Sequence, residues 1–133
     1  MFRAWTLNCI YLLAAVIFAS SASANSLICD VEKKSEVLSD LVYSAEHLAR
    51  SRFDVRLDRL NNTVSRCSFS SSAGLVTCDL YEIDKTERTL VGTTYIEKFY
   101  YFRGQFDLQV FGNKRFIENN GRGSIAVGSC ISN

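Results

Sequence analysis

A chain of 133 residues with 15 Lys plus Arg against 14 Asp plus Glu has room for one domain and carries no basic surplus of the kind that neutralises nucleic-acid phosphates. It shows no basic amphipathic helix of the kind that lies on a membrane surface, and its single histidine, His47, excludes multi-histidine metal sites.

Residues 1–24 read as a cleavable export signal: Arg3, an apolar run from Ile10 to Ala19, then the small triplet Ala22-Ser23-Ala24. Counted generously from Ala4 to Ala19, the apolar stretch is 16 residues, short of the ~20 that a membrane-spanning helix needs. Cleavage after Ala24 is therefore expected rather than an uncleaved anchor. A lipid anchor at Cys29 is not expected, because Ile28 and not a small residue precedes it. Cleavage leaves residues 25–133, 109 of the 133, as one secreted or periplasmic domain, with Arg3, Trp5 and Cys9 lost and 14 basic side chains facing 14 acidic ones.

The remaining cysteines, Cys29, Cys67, Cys78 and Cys130, are even in number in a short exported chain, which implies disulfides. Zinc is the competing use, but zinc sites bring ligands in close pairs, and the gaps here are 37, 10 and 51 residues. The segment from Cys67 to Cys78 reads as a hairpin centred between Ser72 and Ala73, with Cys67 opposite Cys78 and Phe69 opposite Val76. Directly opposed residues of an antiparallel pair lie within disulfide reach. That pairing leaves Cys29 with Cys130 to tie the two ends of the domain together.

Val37, Leu38, Leu41, Val42, Ala45, Leu48 and Ala49 recur at steps of three and four, which predicts an amphipathic helix over Lys33 to Arg50. Its expected role is packing on a sheet, with a partner-binding face as the alternative. At Phe53 the period becomes two: Phe53, Val55 and Leu57 alternate with charged residues, a strand with one wet face. Asn61 and Asn62 supply a turn; Asn61-Asn62-Thr63 also fits the sugar-acceptor pattern, which has meaning only in a eukaryotic source. After Cys78 come Leu80, Tyr81 and Ile83, then a charged stretch, Asp84 to Arg88, expected as a loop. A longer strand from about Val91 to Phe102 carries aromatic rings on both faces. Phe106, Leu108 and Val110 alternate cleanly with polar residues. Phe116 and Ile117 lead to a hairpin centred on Asn120-Gly121, which sets Phe116 opposite Ile125.

The expected fold is α+β: one N-terminal amphipathic helix packed on an antiparallel meander sheet of six or seven strands, disulfide-stapled, either open or curled toward a barrel.

No motif specifies a reaction. His47 falls on the polar face of the expected helix with no selected nucleophile. The carboxylate pairs Asp54 with Asp58 and Glu82 with Asp84 share faces but have basic neighbours, which reads as surface ion pairing rather than glycosidic chemistry. No Gly-rich phosphate loop, nucleophile elbow or zinc-protease motif is present, so no enzyme, cofactor or metal is expected. The aromatic strand carries more: Tyr95, Phe99 and Tyr101, with Tyr81, are candidate partner contacts, since tyrosine combines contact area with a hydrogen-bonding tip; burial beneath helix and sheet is the alternative. The leading expectation is a non-catalytic exported protein that binds another protein, with inhibition of a cell-wall-degrading or toxic enzyme as its specific form. It binds neither nucleic acid nor, after signal cleavage, a membrane. A small-molecule or lipid carrier and a hydrolase using His47 or paired carboxylates are the alternatives.

Overall fold

The computed structural model describes residues 25–133; the expected export signal lies outside the described residues. Nine strands form: β1 (Ser26–Glu36), β2 (Leu41–Val42), β3 (Asp54–Asp58), β4 (Thr63–Ser70), β5 (Leu75–Val91), β6 (Thr94–Tyr101), β7 (Phe106–Phe111), β8 (Arg115–Asn119) and β9 (Ser124–Ser132). One helix, α1 (Ala45–Ser51), and a single 3-10 turn (Val37–Ser39) lie between β1 and β3. Strands β1, β3, β4, β5, β6, β7, β8 and β9 pair antiparallel in that order, and β9 returns to pair with β1. Eight strands thus close an up-and-down barrel, and β2 hangs on the end of β1.

Alternation builds the core. Leu27 and Cys29 of β1, Val55 and Leu57 of β3, Val64 of β4, Ile83 of β5, Phe99 and Tyr101 of β6, Phe106, Leu108 and Val110 of β7, Phe116 of β8 and Cys130 of β9 all turn inward and are buried. Successive side chains of a strand point to opposite faces, so closing the sheet hides every second residue from water. The Cys29–Cys130 disulfide sits inside, bridging the seam where the first and last strands meet. The Cys67–Cys78 disulfide joins β4 to β5 at opposed positions, and Phe69 faces Val76 as the hairpin spacing predicts.

The seam also depends on Gly128, where β9 crosses between β1 and β8. A Cβ at this position would stand 1.9 Å from the Asp30 carbonyl oxygen and 2.8 Å from Phe116 Cε1. Gly128→Ala is therefore expected to cost about 1–3 kcal/mol through overpacking, read as a lower denaturant midpoint. An unchanged midpoint would show that the seam yields without cost.

Four sequence expectations are corrected. The N-terminal helix over Lys33 to Arg50 is not formed: its first residues extend β1, which pairs with β9 as far as Glu36↔Ser124, and only Ala45–Ser51 is helical. Hydrogen bonds to a strand far along the chain outweigh a local three-four spacing whose Val37, Leu38, Leu41 and Val42 reach no core. The six or seven strands are nine, since β1 and β2 occupy the space given to the helix. The charged stretch Asp84 to Arg88 is no loop but the middle of the 17-residue β5, with a register shift between Ile83 and Lys85. Finally, Phe116 faces Gly128 and Asn119 faces Ile125. The turn is longer than a two-residue hairpin because the Asn120 Oδ1 accepts from the backbone N–H of both Arg122 and Ser124, each at 2.9 Å.

Candidate functional site

One end of the barrel is open. Its floor is a buried ionic cluster. Glu118, 3 % exposed, accepts from Arg66 Nε through both carboxylate oxygens, at 3.0 and 3.1 Å, and from the Tyr101 hydroxyl. Arg66 Nη2 adds a contact of 2.9 Å to Oε1, and the guanidinium lies 4.7 Å from the Phe106 ring centroid. Burial, followed by the Glu118 charge, pushes the Tyr101 hydroxyl far above its ordinary pKa, so Tyr101 stays a neutral donor. Both Glu118 oxygens are occupied, so the cluster ties β4, β6 and β8 together across the interior.

Above this floor lies a cavity of about 170 Å³, lined by Val31, Lys34, Phe53, Arg66, Asp79 and Glu118 among others. Lys34 enters it because β1 carries a bulge: the register with β9 shifts between Val31 and Lys33, so that Val31 and Lys34, rather than Val31 and Lys33, turn inward. The bulge is pinned from outside, where Glu32 accepts from both Arg115 Nη1 (2.9 Å) and Ser129 Oγ (2.6 Å). The Lys34 ammonium stands 4.1 Å from the Phe53 ring centroid and 5.1 Å from that of Tyr43, a cation–π setting. Burial, then the nearby Arg66 charge, lowers its pKa.

The rim of this mouth is apolar. The chain leaves β1 at Glu36, makes the 3-10 turn, reverses at Asp40 in the left-handed region (φ +52°) and returns through β2. That flap holds Val37, Leu38, Leu41 and Val42 in solvent, 58, 87, 46 and 73 % exposed. Across the mouth, Phe102 stacks on Phe106 at 4.9 Å and is 38 % exposed.

The residues singled out from the sequence are scattered. Tyr95, at the far end of the barrel, is 45 % exposed. Phe99 and Tyr101 point into the barrel at 3 and 0 % exposure, so as partner contacts they are corrected to core residues. Tyr81 is half-buried against the rings of Tyr101, Phe102 and Phe106. His47 lies on α1, its backbone N–H bonded to the Ser44 cap and its ring 4.6 Å from that of Tyr43. Asp54 pairs with Arg56, Asp58 accepts from Asn61, and Asp84 accepts from the Gly104 N–H, so three of the four carboxylates in the candidate acid pairs already hold structural partners. Among the described residues, no group of three or more His, Cys, Asp or Glu side chains is placed to hold a metal. Arg66 and Glu118 were overlooked, although each stands in the apolar phase of its strand, two residues after Val64 and Phe116. Opposite charges at inward positions of two strands are the sequence signal of a buried pair.

No family model matches the chain, nor does any curated protein or solved structure.

Proposed function

We propose that the protein is an exported, disulfide-stabilised, non-catalytic binding protein that grips a projecting segment of another protein at the open mouth of its barrel. The observation that carries this reading is the flap: four large apolar side chains within six residues, 46–87 % exposed, at the rim of a charged recess. An exposed apolar patch rimmed by polar groups marks an interaction site. The recess, at about 170 Å³, suits a single side chain of a protein ligand. The hydrolase alternative lacks support, since Glu118 and most of the candidate acids are held by structural partners.

Two disulfides are compatible with an oxidising location, and no described helix is long and apolar enough to cross a membrane. The outward strand positions carry Arg56, Lys98, Asp107, Gln109 and Arg115 over an apolar interior, the inverse of a lipid-embedded barrel. These features support the reading of a secreted or periplasmic site of action, to which the expected export signal also points. In the specific form of the reading, the partner is a cell-wall-degrading or toxic enzyme and the seated segment blocks it.

The test is a double substitution, Leu38→Asp with Val42→Asp. Both side chains are exposed, so stability should stay within about 0.5 kcal/mol. Cross-linking in periplasm or culture medium should join a specific protein to residues 37–42 of the wild type and not to the variant. A wild type that joins none, or a variant that still captures the same protein, removes the proposal.

A further inference from the structure

The recess at the mouth holds a cation that no carboxylate of the described chain neutralises. Lys34 enters it through the β1 bulge, and its carbonyl accepts from the Tyr43 N–H at 2.9 Å, which fixes its backbone at the root of the flap. Among the described residues its ammonium makes no hydrogen bond or ion pair and rests against the Phe53 and Tyr43 rings. The charged groups around it are engaged elsewhere: Arg66 with Glu118, Asp54 with Arg56, and Glu36 with the Tyr43 hydroxyl at 3.5 Å. Asp79, the remaining carboxylate of the lining, is exposed. Ring faces attract a cation through their quadrupole but carry no net charge to neutralise it. A partly desolvated charge gains more from a counter-ion than one that stays in water.

We propose that the recess takes one acidic side chain, aspartate or glutamate, from the projecting segment of the partner, with the Lys34 ammonium as its counter-ion. This rests on the reading of the mouth as a protein-binding site and names the residue that the segment must carry. Lys34 and the flap are contiguous: β2 folds back on β1 through Ser35↔Val42 and Glu36↔Leu41, directly after Lys34. A segment held by Leu38, Leu41 and Val42 therefore lies beside the recess, and its motif is a single acid flanked by large apolar residues. The about 170 Å³ of the recess admits one such side chain. A basic side chain would enter against both Lys34 and Arg66, and the Glu118 oxygens that face it are already taken. An apolar side chain would strip water from the ammonium and give no counter-charge in return, which is costly. A carboxylate turns the same loss of water into a gain, because an ammonium–carboxylate hydrogen bond strengthens as water leaves.

Selection of a displayed random heptapeptide library on the protein with both disulfides formed tests this. Peptides that the wild type retains and the Leu38→Asp, Val42→Asp variant loses should share one Asp or Glu among large apolar residues. In a synthetic copy of the tightest of them, changing that acid to its amide should weaken binding to the wild type by about tenfold or more. Lys34→Met keeps the apolar contact of the lysine stem with Phe53. It should bind the acid and amide peptides equally, and the amide peptide as well as the wild type does, which a merely misfolded variant would not. Asp79→Asn should keep the preference for the acid or strengthen it. Flap-dependent peptides with no common acid, or an acid preference that survives Lys34→Met, overturn the inference and leave the flap reading standing. A library that yields no flap-dependent peptide also overturns it, while the flap reading keeps its own test in the cross-linking.

Discussion

Replacing Cys29 and Cys130 together by alanine is expected to lower stability by up to about 4.7 kcal/mol, against up to about 2.8 kcal/mol for the corresponding change at Cys67 and Cys78, on the chain-entropy account of cross-links. The difference comes from loop length: the first disulfide spans 101 residues and the second 11. A domain of this size has about 5–15 kcal/mol in total, so the long clasp supplies a large share of it. The clasp also lies at the only place where strands from the two ends of the described chain must find one another, β1 against β9. Both double variants can be compared by denaturant unfolding under oxidising conditions. Equal losses, or a larger loss at Cys67 and Cys78, would show that loop closure is not what the long disulfide contributes.

Arg66→Met is expected to cost about 3–5 kcal/mol, because it leaves the Glu118 carboxylate buried without its counter-charge. The methionine keeps the apolar contact with Phe106 that the arginine stem makes, so the loss reports charge and hydrogen bonds rather than volume. Removing both charges with Arg66→Met and Glu118→Leu should recover most of the loss, since a hydrophobic replacement of a buried pair is often neutral or better.

Tyr101 adds an alkaline limb to the same cluster. Burial and Glu118 hold its folded pKa above the unfolded value of about 10. Its contribution is complete below that pH and is lost above it at about 1.4 kcal/mol per pH unit, as the unfolded state ionises while the folded state cannot. Tyr101→Phe should flatten this limb. A wild-type stability that is level through the tyrosine range, or an Arg66→Met variant as stable as the wild type, would mean that the cluster is solvated and not a strut.

The flap and the cluster were unequally legible in the sequence. Val37, Leu38, Leu41 and Val42 are conspicuous as apolar residues, yet their three-four spacing matches a helix, and only the pairing of Glu36 with Ser124 shows that the chain is still a strand there. The Asp40 and Arg52 backbones, in the left-handed region at φ +52° and +47°, end local structure without the glycine that would have announced it. Arg66 and Glu118 stand 52 residues apart, and no spacing rule joins them. Lys34 reaches the mouth through a bulge that has no signature in its own residues.

What the amino-acid sequence settled unaided is local: the two-residue alternation of β3 and β7, the turn at Asn61 and Asn62, and the register of the Cys67 to Cys78 hairpin. Each depends on residues within a dozen positions, where period and turn chemistry decide the outcome. What tertiary structure alone decided is whatever needs distant strands to meet: closure of β1 on β9, the conversion of an apparent helix into strand and flap, the burial of Phe99 and Tyr101, and the mouth with its ionic floor. The physical reason is that a barrel satisfies its backbone hydrogen bonds and hides its apolar face only once its last strand returns to its first, so its energy belongs to the closed ring and not to any segment of it.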